Sequence, residues 1–381
     1  MAVEASSENE NDEEDDLILP LQVDAAFRIL LGRPPESEHV IADWCKACDS
    51  VEQLAEMLRD CDEFRALQNT GASLTNTSEG GYEPRDLEIF ARFARYQGPG
   101  KLGFVTDFLG TRTSTDFIAS IRSMDGAVEG LPIPTNFHAE TVEWIGALKA
   151  VISARQRFVA VELGAGWGPW LVTSARAAES CGIDDVHLVG VEGDATHFQF
   201  MREHFVENGL DPGEHTLLLG VAAEEDGTAS FPVIEDPTAD WGAAALTETM
   251  VKKGALMDYR GLKVDGVVSV PAYSLPSLLE PFDEIDLVHC DIQGAEERVL
   301  SAAIDALNAK VRWLVVGTHS RLIEGQLIEM FMGSGWDLEQ EKPCLFQQSG
   351  AIAQLTMDGC QVWRNHRSAD NVETMVRKSR P

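Results

Sequence analysis

From Arg157 to Arg364 short β-branched runs alternate with helical stretches, and this alternation restricts the chain to a parallel sheet covered by helices. Strands are expected over 158–163, 186–192, 215–221, 286–291 and 312–317. Helices are expected over 169–179, 195–208, 295–307 and 324–332. The segments 350–355 and 360–364, with Met-Asp-Gly at 357–359, read as a closing antiparallel hairpin. The expected fold is α/β, a doubly wound sheet ending in that hairpin, with a small all-α module before it.

The first strand runs into Val161-Glu162-Leu163-Gly164-Ala165-Gly166-Trp167-Gly168. Glycines here let the backbone turn sharply and approach a ligand with no Cβ in the way. The spacing is G-x-G-x-G, and Pro169 stands where a dinucleotide fingerprint needs its third small residue. Glu162 would repel a pyrophosphate but can bind the ammonium of a methionyl group. The second strand ends on Glu192-Gly193-Asp194, an acid at a neighbouring strand tip where ribose hydroxyls arrive. Glu162, Gly164, Ala165, Gly166, Gly168, Glu192, Asp194 and Val221 (which closes the third strand) form the expected cofactor set.

Farther on, Asp286-Leu-Val-His-Cys-Asp291-Ile-Gln-Gly-Ala-Glu296, Val316-Gly-Thr-His319-Ser and Asp358-Gly-Cys-Gln-Val-Trp-Arg364-Asn follow in order. These motifs resemble the FkbM-type methyltransferases, whose fourth strand ends in D-[IV]-[EQ]-G-[AFY]-E, and the likeness covers about residues 103–367. The resemblance implies a Rossmann-like methyltransferase sheet, S-adenosylmethionine as cofactor, and O-methylation of a sugar, glycan or glycosylated metabolite.

Methyl transfer from a sulfonium is an in-line displacement, so the protein must align the acceptor oxygen and help remove its proton. Asp291 and His319, each at the C-terminal end of a strand, are the expected catalytic pair. His319 is the expected base because its reference pKa lies near ~6.5. Asp291 would orient it, bind the acceptor, or hold a divalent ion together with Glu296. The spacing of Asp291 and Glu296 does not guarantee that they converge, and no metal is expected. His289 and Cys290 read as core residues of an apolar strand.

The insertion over 223–284 is long and largely without regular periodicity, and such loops are usually functional. Trp241 and Tyr259 within it are candidate acceptor platforms, since aromatic faces stack on pyranose C–H surfaces; Gln293 is a third candidate acceptor contact. Either aromatic could equally anchor the insertion to the core.

The composition narrows function by exclusion. With 63 Asp+Glu against 30 Lys+Arg the net charge is −33, which repels nucleic-acid phosphates and anionic lipid. No apolar run is long enough to span a bilayer and the N-terminus lacks a signal-peptide pattern, so a cytoplasmic protein is expected. Seven scattered cysteines argue against a disulfide framework. The Cys45–Cys48 pair has no fourth ligand for zinc nearby and reads as small buried side chains.

Residues 1–17 are an acidic tail expected to be disordered. Residues 18–69 have helical spacing, including a capping box at Ser50–Gln53. Phe27-Arg-Ile-Leu-Leu-Gly-Arg33-Pro34, with Glu63-Phe64-Arg65, resembles a helical module often fused to glycan-assembly enzymes. That likeness implies docking to a protein partner or self-association. A linker (70–82), a helical prelude (83–156) with helices over 86–96 and 136–151, the methyltransferase domain (157–367) and a C-terminal tail (368–381) follow. The span 103–118 shows no clear period. Two other readings remain: a non-catalytic adaptor on the same scaffold, and a nicotinamide oxidoreductase.

Overall fold

The protein is represented by a computed structural model that describes residues 18–31, 34–35, 37–61, 80–246, 266–349 and 352–366. The acidic tail, most of the linker, Glu63-Phe64-Arg65, Tyr259 and the C-terminal tail lie outside the described residues. The chain divides between Asn76 and Thr77 into two compact units. Among the described residues no helix is long and apolar enough to cross a membrane.

The first unit holds α1 (Pro20–Leu31), α2 (Glu38–Ala47) and α3 (Val51–Asp60). Val23, Phe27 and Leu31 share a core with Leu54 and Leu58, and Phe27 meets Trp44 edge-on at 5.7 Å. Ser37 and Ser50 cap α2 and α3 by accepting the amides of Val40 and Gln53. The Gln53 side chain accepts from Asp49 N, one residue before the cap that the sequence pattern assigns it. Cys48 is buried in this core, and all seven cysteines are free thiols.

The second unit opens with a 3-10 helix at Pro84–Arg92, where an α-helix over 86–96 was expected. Leu87, Phe90 and Phe93 are all buried, and their spacing of three is the 3-10 period. The span without clear period contains an antiparallel pair, β1 (Phe104–Thr106) and β2 (Arg112–Ser114), too short to leave a pattern. The next helix, α4 (Thr141–Ser153), starts later than expected. Its capping box is Glu140 with Glu143, while the Asn136 side chain accepts from the amides of His138 and Ala139 in the preceding turn.

The core then follows the expected alternation: β3 (Arg157–Leu163), α5 (Pro169–Ser180), β4 (Asp185–Glu192), α6 (Ala195–Glu207) and β5 (Thr216–Leu219). The third strand is shorter than read from sequence. Val221–Ala223 forms a separate β6, which joins β7 (Gly227–Pro232) and β8 (Val267–Ser274) in a small sheet of order β6-β8-β7. Phe231, Val270 and Ala272 pack there with Val221, so the described part of the insertion has an apolar cluster of its own. After α7 (Leu275–Leu279) come β9 (Ile285–Cys290), α8 (Glu296–Ala302), α9 (Ile304–Lys310), β10 (Val311–Thr318), α10 (Arg321–Gly333) and β11 (Trp336–Lys342). The single helix expected over 295–307 is therefore two helices that meet at Ala303.

The main sheet has the order β11-β14-β10-β9-β3-β4-β5, where β14 is Gly359–Asn365. It ends in antiparallel pairing as expected, but with different partners. β12 (Leu345–Ser349) pairs with β13 (Ile352–Met357), while β14 inserts between β10 and β11. The turn at 357–359 is thus a switch between sheets. Burial explains it: Cys360, Val362 and Trp363 are enclosed between two neighbours, whereas Gln354, Thr356 and Met357 stay exposed.

The chain fills β4 and β5 on one side of β3, then β9 and β10 on the other. The crevice beyond the carboxyl ends of β3 and β9 is the place where open α/β sheets take ligands.

Candidate functional site

Both glycine-loop and acid motifs end at that crevice. Gly164 N and Ala165 N donate to Val191 O, and Asp291 N donates to Leu163 O, which ties the tips of β3, β4 and β9 together. Gly164 has φ +72, and a Cβ there would strike the Asp291 carbonyl, so only glycine fits. Gly168, at φ +71, is the N-cap of α5, followed by Pro169 at the first helical position.

Two adjoining chambers open above these tips. The larger is about 1030 Å³ and the smaller about 320 Å³; both are lined by Gly164, Glu192, Phe231, Asp291, Gln293 and His319. Ala165 and Gly166 line the larger chamber, and Val221 with Ile292 lines the smaller, more apolar one. Among the described residues no lysine or arginine lines the larger chamber.

Glu192 is buried and uses both oxygens locally, accepting from Gly166 N at 2.8 Å and Asp194 N at 2.7 Å. Each oxygen retains a lone pair for a ligand hydroxyl. Burial pushes its pKa up, against the opposing pull of His197. Glu162 lines the larger chamber and accepts from Trp170 N and Leu171 N at the start of α5. Burial, reinforced by Asp291 and Glu192, holds it well above the ordinary carboxylate value. Asp194 is not among the residues lining either chamber. Its side chain caps α6, accepting from Thr196 N and His197 N.

Trp241 packs beside the glycine loop. It stacks on His197 with centroids 3.9 Å apart and meets Trp167 edge-on at 4.7 Å. Trp241, one of the two expected acceptor platforms, therefore lines the larger chamber beside the glycine loop.

Asp291 is half-buried and caps no helix. Glu296 takes the loop amides instead, its Oε1 accepting from Ile292 N and Gly294 N, which leaves Asp291 facing both chambers. Gln293 has φ 56, a left-handed conformation uncommon for a side-chain-bearing residue, and its amide donates to Asp291 Oδ1 at 2.9 Å.

His319 Nδ1 lies 3.0 Å from Glu296 Oε1, and its Nε2 lies 3.4 Å from Asp291 Oδ1 and 3.9 Å from Asp358 Oδ1. Burial disfavours its charged form, but Asp291, Glu296 and Asp358 outweigh that and raise its pKa to about 9. At neutral pH the imidazole is protonated. His319, the expected base, thus stands among three carboxylates, with Asp291 beside it lining both chambers. One ligand atom from each of Asp291, Glu296 and His319 falls within 4.8 Å of the others, so the two carboxylates do converge.

The sequence reading missed the inner wall of the larger chamber. His289, read as core, lines it with His138, Glu143 and Trp170; its Nε2 is 3.7 Å from Glu143 Oε1 and its ring stacks on Trp170 at 5.2 Å. Two-residue alternation along β9 places His289 on the same face as Asp291, and that spacing was the available signal. Cys290, on the opposite face, is core. Phe346 and Gln354–Asp358 of the β12–β13 region form the outer rim.

No family model matches the chain. A protein of Jannaschia sp. (strain CCS1) assigned as a methyltransferase is 35% identical over 268 residues, which span 69% of this chain and 92% of that one. Among solved structures, precorrin-6y C5,15-methyltransferase from Geobacter metallireducens GS-15 overlaps with a TM-score of 0.33 at 9% identity, over 60% of this chain and 89% of that one. The B. subtilis M1A22 tRNA methyltransferase TrmK overlaps with a TM-score of 0.29 at 10% identity, over 59% of this chain and 67% of that one. The extent of the sequence match is decisive: the chain belongs to the methyltransferase family of its Jannaschia relative.

Proposed function

We propose that this protein is an S-adenosylmethionine-dependent O-methyltransferase of FkbM type that methylates a hydroxyl of a sugar, glycan or glycosylated metabolite. The observation that carries this reading is that the glycine loop and Glu192 open on the same cleft as Asp291 and His319.

The residues present fit the cofactor. The loop at Gly164 has no room for a Cβ, as a close ligand approach requires. Glu162, Glu192 and Asp291 crowd one cleft whose larger chamber has no lysine or arginine lining it among the described residues, and the sulfonium and ammonium of S-adenosylmethionine offset that charge. Glu192 takes the ribose, and the smaller chamber with Val221 and Ile292 takes the adenine. When bound, the cofactor supplies an electrophilic methyl group.

The chain's own contribution is alignment and proton handling. The acceptor hydroxyl enters the larger chamber and hydrogen-bonds to Asp291. As the acceptor oxygen takes the methyl group that bound S-adenosylmethionine would supply, its proton would leave along the hydrogen bond to Asp291 and then to water. His319, held by Glu296, and Gln293 fix the Asp291 carboxylate from two directions. The acidic groups lining the larger chamber, Glu143, Glu162, Glu192, Asp291 and Asp358, favour neutral, hydroxyl-rich acceptors over phosphorylated ones.

Radiolabelled methyl transfer to a panel of free sugars, glycans and glycosylated metabolites tests this. The expected result is a base-stable methyl ether, with turnover reduced by about 10²-fold or more in Asp291→Asn. Methyl esters or methylated amines as the products, or parental turnover in the variant, would refute it.

A further inference from the structure

The arrangement around His319 has a geometry that proton transfer does not use. Nε2 stands 3.4 Å from Asp291 Oδ1 and 3.9 Å from Asp358 Oδ1. Ligand atoms bound to one metal at ~2.1 Å are separated by roughly 3.0 Å at octahedral and 3.4 Å at tetrahedral edges. The Asp291–His319 pair already has that separation. Asp358 is half an ångström farther out, on a carboxylate that is 63% exposed at the chamber rim.

The other imidazole nitrogen has the support that metal-ligating histidines usually have. Nδ1 is 3.0 Å from Glu296 Oε1, and that oxygen is itself fixed by the amides of Ile292 and Gly294. This carboxylate–histidine arrangement locks the ring and points Nε2 at the acidic residues lining the cleft. Glu296 is fully buried, and among the described residues its Oε2 has no hydrogen-bond partner. Three carboxyl groups, of Asp291, Glu296 and Asp358, lie within 4 Å of this one imidazole.

We propose that Asp291, His319 Nε2 and Asp358, with Glu296 supporting the ring, bind one first-row divalent cation at the junction of the two chambers. Mixed imidazole and carboxylate donors suit manganese, iron, cobalt or zinc better than calcium. Binding releases whatever proton Nε2 carries. The positions facing the chamber stay open to water or to an acceptor hydroxyl, which the ion would acidify. The role toward an acceptor rests on the methyl-transfer reading; the ion site itself does not.

The test is a titration of the full chain with manganese(II) chloride at neutral pH and physiological ionic strength, following free manganese by electron paramagnetic resonance. One equivalent bound per chain is expected. Affinity should fall about 10–100-fold in Glu296→Gln and comparably or more in Asp291→Asn. Asp358→Asn, at an exposed position that does not threaten folding, should also weaken binding, whereas the surface control Glu214→Gln should not. No uptake, or uptake equal in the parent, Asp291→Asn and Asp358→Asn proteins, overturns the proposal, because the ions would then sit on other surface acids or nowhere. Calorimetry with S-adenosylhomocysteine on the same sample separates the two claims: its binding without site-dependent manganese uptake removes only the ion, and the reverse result removes only the cofactor reading.

Discussion

Replacing Glu192 by glutamine is expected to be far from conservative. Its two oxygens accept from two backbone amides, Gly166 N and Asp194 N, and the residue is buried. A glutamine side chain has one acceptor oxygen, so its NH₂ must face one of those N–H groups, donor against donor. The loss is one hydrogen bond to a charged group, about 1.5–3 kcal/mol, plus weakening of the other. Removing a buried charge returns part of that, because burial already works against the ionised form. A net loss of about 2 kcal/mol corresponds to a melting point lower by roughly 3 °C in a unit that runs from Thr77 to Pro381. The Gly166 amide belongs to the cofactor loop, so S-adenosylhomocysteine affinity should fall about tenfold or more, the equivalent of one further misplaced hydrogen bond. The assay is thermal unfolding of parent and Glu192→Gln proteins with and without S-adenosylhomocysteine, combined with calorimetry. If the variant melts with the parent and binds the ligand equally well, the assignment of Glu192 as loop anchor and ribose acceptor is wrong.

Gly164→Ala should abolish S-adenosylhomocysteine binding, because the new Cβ meets the Asp291 carbonyl at φ +72; calorimetry on the folded variant checks this. Asp286→Asn should cost about 2–3 kcal/mol in urea unfolding while leaving ligand affinity unchanged, since it leaves the buried Arg312 guanidinium, which Asp286 pairs at 3.2 Å, with only the more distant and exposed Glu284 at 3.8 Å. His204 is fully buried and burial lowers its pKa to about 4. Its neutral form therefore gives stability that is complete above ~6.5 and is lost as pH falls toward about 4, a contribution of about 3 kcal/mol. Unfolding of His204→Asn should show a correspondingly shallower loss between these pH values than the parent, and parallel curves would contradict the assignment.

The alternating core was legible because its signals are local. The β-branched runs of β3, β4, β9 and β10 and the Gly164–Gly168 turn depend on neighbours within a few residues. Strand pairing was not legible in the same way. β14 joins the main sheet because its side chains are buried between β10 and β11, a fact about residues far away in sequence. The strict three-residue spacing of Leu87, Phe90 and Phe93 was a readable 3-10 pattern that a helical reading absorbed. Within the site, the positions of Glu192, Asp291 and His319 followed from motif order, but the charge of His319 did not. Its raised pKa needs Asp291 after β9, Glu296 opening α8 and Asp358 before β14 to meet around one ring. Asp194, at the same strand tip, has a local role that the motif alone did not disclose: its Oδ1 caps α6.

The most direct test of the central claim is a calorimetric titration of the full chain with S-adenosylmethionine, S-adenosylhomocysteine and NAD. Micromolar binding of both adenosyl ligands at one site per chain, with no heat from NAD, is the expected result. A folded protein that binds neither adenosyl ligand, or that binds NAD in their place, would contradict the account.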